Sequence, residues 1–144
     1  MQSFKIKERR RARFYAVQAI YQQLLSEIST EDLKLQFYHD NVNRAAVDWQ
    51  FFYVLLDGVM KHKVDIDQKI NYYSASSHTS LMNPVDLAIL YLGVYEITSL
   101  IEIPCPVIIN EYINQSKTLG TVQGYAFINS LLDKLSQDSR KFPG

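Results

Sequence analysis

One cysteine, four prolines, five glycines, three histidines and one tryptophan are all that 144 residues provide of these types. Cys105 alone excludes an internal disulfide and fits a reducing compartment. So little proline and glycine argues against a loop-rich β architecture. No run approaches the roughly 18 uninterrupted apolar residues that cross a bilayer. The charged N-terminus is not followed by the apolar stretch of a secretory signal. The expectation is a cytoplasmic protein with no membrane contact. His39, His62 and His78 have no ligand partner at metal-binding spacing on a shared helix face. Cys105, between two prolines, has no identifiable base to activate it. Asp65 and Asp67 lack the glycine turn and terminal glutamate of a calcium loop. Lys117 to Gly120 has no glycine-rich lead-in for a phosphate loop. Glu96, Glu102 and Glu111 read as solvated charges or helix-dipole partners. No enzyme, metal or cofactor is expected.

Helical periodicity is what the chain does contain. Phe14, Val17, Ile20, Tyr21, Leu24, Leu25 and Ile28 form one apolar stripe over about five turns. Ser29 to Asp32 reads as a helix start, with Leu33, Leu35, Phe37 and Tyr38 on a short helix after it. A long helix is expected from about Ala45, with Gly58 inside it marking close helix–helix approach. Ser74 to Ser80 is the clearest loop and divides the chain near its middle. Asn83-Pro84 pairs a cap residue with proline at the first helical position. The helix it opens, carrying Val85 through Ile97, is apolar around much of its circumference and is expected to be the most buried. A helix from about Pro106 to Leu119 ends at Gly120, which suits a left-handed cap position. The last helix runs from about Val122 to Gln137. The fold class is all-α.

Charge is unevenly placed. Residues 1–13 carry Lys5, Lys7, Arg9, Arg10, Arg11 and Arg13 against Glu8, a net of +5, which leaves −5 on the rest of a neutral chain. Arg9, Arg10 and Arg13 share the azimuth of the apolar stripe that begins at Phe14. Burying three guanidinium groups in a dry core is severely costly. The first turns are therefore expected to overhang the body as a cationic arm open to phosphates. Arg11 points away, on the face of Gln18 and Gln22. Tyr15 looks freer for base stacking than Tyr21, which lies on the apolar stripe. A solubilising tail that binds nothing is the competing reading of such a basic block.

Arg9-Arg10-Arg11-Ala12-Arg13 followed by Ala16 to Tyr21 resembles the opening helix of the NusB family of transcription antitermination factors. Asp86 to Leu90 with Leu92 to Glu96 resembles its central helix. Ile103-Pro104, Val107 to Glu111, Lys117 to Gly120, Phe127-Ile128-Asn129 and Leu132-Asp133-Lys134 match its C-terminal half, in the family's order. The resemblance implies one NusB-like domain over residues 1–144: a basic arm (1–13), an N-terminal helical subdomain (14–80) and a C-terminal one (81–144). These are two packed three-helix-type bundles. It further implies a noncatalytic factor that binds boxA RNA of ribosomal RNA leaders with NusE, within the RNA polymerase antitermination complex. Some relatives self-associate, so a homodimer stays open.

By matching position, Arg9, Arg10 and Arg13 would contact RNA, Gln18 and Phe127 would lie near its path, and Asp86 would face basic NusE. Tyr91 and Ala126 replace basic residues common in relatives, and Gly124 replaces a usual serine. Such losses of charge would flatten the salt dependence of binding by up to ~0.7 per single-strand phosphate contact. A noncatalytic helical interaction module without RNA binding of its own is the alternative.

Overall fold

The structure, a computed structural model, describes residues 2–74 and 82–140, with side chains from residue 5 onward. Seven helices and no strand occur among the described residues: α1 (Gln2–Leu25), α2 (Thr30–Asn41), α3 (Trp49–Lys61), α4 (Lys63–Tyr73), α5 (Pro84–Ser99), α6 (Cys105–Leu119) and α7 (Val122–Ser139). From residue 75 the expected polar loop lies outside the described residues.

Side-chain caps start several helices, at Ser29 and Asn83 where the sequence places them and at Asp48 where it does not. The Ser29 hydroxyl accepts from the Asp32 N–H at 3.1 Å, and Asp48 Oδ1 accepts from that of Phe51 at 3.0 Å. Asn83 Oδ1 accepts from Val85 N–H at 2.9 Å, with Pro84 following at the first helical position. Each such cap removes one orphan donor, worth about 1 kcal/mol.

α5 is the axis of the molecule. Every residue from Asp86 to Ile97 is buried, and α1, α3, α4, α6 and α7 all pack on it. Its leucines, isoleucines and valines belong to the same core as Ile20, Phe52, Leu55, Ile108, Ile128 and Leu132. Burying each such side chain contributes roughly 1.5–3 kcal/mol.

Three expectations change. The long helix expected from Ala45 begins at Trp49 and is broken at His62 into α3 and α4. Gly120 ends α6 with φ −87° and ψ −173°, extended rather than left-handed. What excludes a side chain there is crowding: a Cβ would lie 2.7 Å from Asp86 Oδ1. Finally, the N-terminus does not overhang. α1 is a continuous helix whose core contacts begin at Ala12. Close approach at Gly58 is present as expected, since a Cβ would fall 2.0 Å from the Tyr95 ring.

Candidate nucleic-acid interface

Each of the three arginines singled out by position meets a carboxylate of its own chain. Arg13 Nε and Nη2 donate to Glu96 Oε2 and Oε1 at 2.8 and 2.9 Å, deep between α1 and α5. The guanidinium is 4 % exposed and the carboxylate 0 %. Tyr112 on α6, fully buried, donates its hydroxyl to Glu96 Oε2 in a short hydrogen bond. Burial works against the Arg13 charge, but the hydrogen bonds and charge of Glu96 outweigh it and hold the guanidinium above its ordinary pKa. Arg10 makes a side-on pair with Glu111 of α6, Nε to Oε1 at 3.0 Å and Nη2 to Oε2 at 2.9 Å. Here the hydrogen bond and the charge of Glu111 raise its pKa. Arg9 Nε lies 3.6 Å from Asp48, with its Cζ 4.4 Å above the Phe51 ring.

The open overhang is thereby corrected. Arg13 is part of the core and is closed to any ligand; Arg9 and Arg10 remain exposed at the surface while paired. An isolated guanidinium would bear the full desolvation cost of burial, but Arg13 is paired with Glu96. Asp48, to which the sequence assigned no role, supplies such compensation together with Glu96 and Glu111, which are not the solvated charges expected but are buried and paired with arginines. One signal was available. A carboxylate at Glu96, inside a helix apolar on every side, has no solvated face to occupy and needs a buried cation.

Asp86 is likewise corrected as a surface acid aimed at a basic partner. It is 3 % exposed. Its Oδ1 accepts from the Thr121 N–H at 3.1 Å and its Oδ2 from the Thr121 hydroxyl at 2.6 Å, while Thr121 Oγ1 accepts from Gly124 N–H at 2.9 Å. Asp86 thus anchors the cap of α7, where a negative charge also favours the helix N-terminus.

Gln18 is half-buried at the rim of a groove of about 420 Å³ formed by Val17, Gln18, Tyr21, Gln22, Val85 and Leu119. Phe127 is half-buried and packs against the core from α7. Tyr15 is not free for stacking: its ring lies parallel to Trp49 at 6.0 Å and tilted against Phe37. Among the described residues no group of three or more His, Cys, Asp or Glu side chains could hold a metal. No helix among them is long and apolar enough to cross a membrane.

An axial buried helix, a basic first helix clamped on it and a C-terminal three-helix cluster agree with a known family, whose pattern matches residues 10–137. The chain belongs to the NusB family. Transcription antitermination protein NusB of Marinobacter nauticus is 38 % identical over 94 % of this chain and 85 % of its own length. The NusB proteins of Saccharophagus degradans and Nitrosomonas eutropha are 33 % and 37 % identical, each over 92 % of this chain and over 88 % and 78 % of their own. T. maritima NusB has the same fold, with a TM-score of 0.77 at 23 % identity over 90 % of each chain. The NusB family is a noncatalytic family of transcription antitermination factors.

Proposed function

We propose that this chain acts in transcription antitermination by binding boxA RNA of ribosomal RNA leaders together with NusE, in association with elongating RNA polymerase. The observation that carries this reading is the NusB family match over residues 10–137, and the basic, exposed N-terminal part of α1 supports it. Arg9 and Arg10 would offer phosphates the N–H groups their carboxylates leave unused, and Arg10 has one such edge at Nη1. Gln18 and Phe127 would contact bases. Arg13 and Asp86 have no direct part and instead hold α1 and α7 in place.

The partner supplies part of the affinity in this reading, because three arginine charges are already offset within the chain. Those same internal pairs favour the rival, a noncatalytic interaction module without RNA affinity of its own. Titrating boxA RNA with and without NusE separates them. Retention of RNA that grows with NusE and falls with salt is expected. Tight NusE binding with no RNA retention at any salt would leave the module as the answer.

A further inference from the structure

We infer that the outer face of α2, built on Leu35, Tyr38 and Val42, is a self-association surface on which α2 of a second copy of this chain lies antiparallel. The inference does not depend on RNA binding and concerns a different side of the molecule.

Of the four large apolar side chains that the sequence places on α2, only two enter the core. Leu33 and Phe37 are buried, whereas Leu35 is 69 % exposed, Tyr38 42 % and Val42, at the cap, 40 %. At about 100° per residue, Leu35, Tyr38 and Val42 lie within an arc of about 60°, centred about 150° around the helix from Leu33 and Phe37. Their spacing of three and then four residues is the one that seats a second helix. Tyr38 meets the Trp49 ring edge-on at 5.3 Å, so half-buried Trp49 and Tyr53 of α3 extend the patch. Contiguous apolar surface rimmed by charge marks an interaction site.

The rim charges choose the occupant. Glu31 is held by Lys34 at 3.1 Å, and Lys34 also reaches Asp57 at 2.8 Å. Asp32, at the start of the patch, and Arg44, just beyond its end, are exposed and carry no ion pair among the described residues. A two-fold axis through Tyr38 sets Asp32 of each copy against Arg44 of the other, and Leu35 of each beside Val42 of the other. A parallel arrangement would oppose like charges instead. The order of charge along α2 is therefore self-complementary in the antiparallel sense. A net charge of zero leaves no overall repulsion between copies.

Gln36, which donates to Gln22 of α1 at 3.5 Å, projects about 160° away from Tyr38 around α2. The patch thus faces away from the groove beside α1, and pairing leaves that groove open. Leu35 to Val42 spans about 10 Å of helix, a smaller contact than the roughly 1,200–2,000 Å² of stable complexes. A weak, concentration-dependent equilibrium is the consequence.

Sedimentation equilibrium of the full chain tests this. A reversible monomer–dimer equilibrium that weakens as salt rises is expected. A two-fold interface feels each substitution twice. Leu35→Lys should therefore raise the dissociation constant about tenfold or more, and Arg44→Glu about fivefold. Asp32→Arg added to Arg44→Glu should restore association, since the exchanged charges meet again across the axis. Matching unfolding midpoints establish that the variants fold. A monomer at every concentration up to about 1 mM overturns the inference. So does a dimer that Leu35→Lys leaves intact, which would place self-association elsewhere. A charge reversal without effect, or one that the double variant fails to rescue, overturns the antiparallel pairing. A monomer whose affinity for NusE falls in Leu35→Lys would give the face to that protein instead.

Discussion

Arg13 and Glu96 are joined by two hydrogen bonds of 2.8 and 2.9 Å, with both side chains almost wholly removed from solvent. They link α1 to the axial helix at the point where the basic segment ends and the core begins. Removing one partner from such a pair leaves an uncompensated buried charge, at about 3–5 kcal/mol. Arg13→Met should therefore lower the urea unfolding free energy by that order. Arg13→Met together with Glu96→Leu should recover much of the loss, because the desolvation cost of both charges disappears. The salt slope of RNA binding should be the same in the double variant as in wild type. A slope reduced by a full contact would show that Arg13 reaches phosphate after all.

Asp86 and Gly124 form a second dependence. A Cβ at position 124 would lie 2.3 Å from the Asp86 carboxylate, so Gly124→Ala should destabilise by about 1–3 kcal/mol despite alanine's better helix propensity. Asp86→Ala removes the anchor of Thr121 and should cost about 1–2 kcal/mol by itself. The two losses should not add, since without the carboxylate the methyl has room. Additive losses in a double-mutant cycle would mean the carboxylate is not what excludes a side chain.

These two carboxylates show where the sequence was readable and where it was not. Helix starts at Ser29 and Asn83 depend on local chemistry within four residues, and local patterns report them. Gly58 was readable too, because a glycine in a helix interior demands a close neighbour, here Tyr95. The break at His62 carries no proline or glycine and follows from how α3 and α4 pack separately on α5. The partners of Arg13 and Arg10 are 83 and 101 residues distant along the chain. Helical azimuth gave the direction of each arginine correctly and said nothing of what waited there. For the candidate interface the outcome is specific: the basic segment was recognised, but which cations remain unpaired required the tertiary structure.

Arg140 makes a different use of an arginine. Its guanidinium donates to the carbonyls of Ile97 at 3.1 Å and Ile103 at 2.6 Å, and more weakly to those of Glu96, Leu100 and Ile101 at 3.3 Å. These carbonyls lie at the end of α5 and in the turn beyond it; those of Glu96 and Leu100 also accept from the Leu100 and Ile103 N–H groups, and a positive charge here meets the negative end of the helix dipole. Arg140→Ala should destabilise by about 1.5–3 kcal/mol, with Arg140→Lys recovering only part because an ammonium cannot span so many acceptors. Faster amide exchange in the last turn of α5 would localise the effect. Unchanged exchange there would dissociate Arg140 from α5.

High pH should expose a shared weakness in three tyrosines. Tyr73 donates to Asp138 at 2.5 Å and Tyr91 to Asp67 at 2.5 Å, while Tyr112 donates to Glu96. The hydrogen bond to Asp138, with burial and that carboxylate's charge, pushes the Tyr73 pKa up to about 12. Burial first, and then the nearby carboxylate, also raises the Tyr91 and Tyr112 hydroxyls above the ordinary tyrosine pKa. A pKa raised by folding means the native state holds the proton more tightly than the unfolded chain, whose tyrosines titrate near pH ~10. The stabilisation is complete below that pH and is lost as pH rises, for Tyr73 through about 12. Urea midpoints should hold steady up to about pH 9 and then fall. Tyr73→Phe should make that fall shallower, because a ring that cannot ionise contributes nothing to the linkage. An identical alkaline profile in Tyr73→Phe would show that the bond to Asp138 does not form in solution.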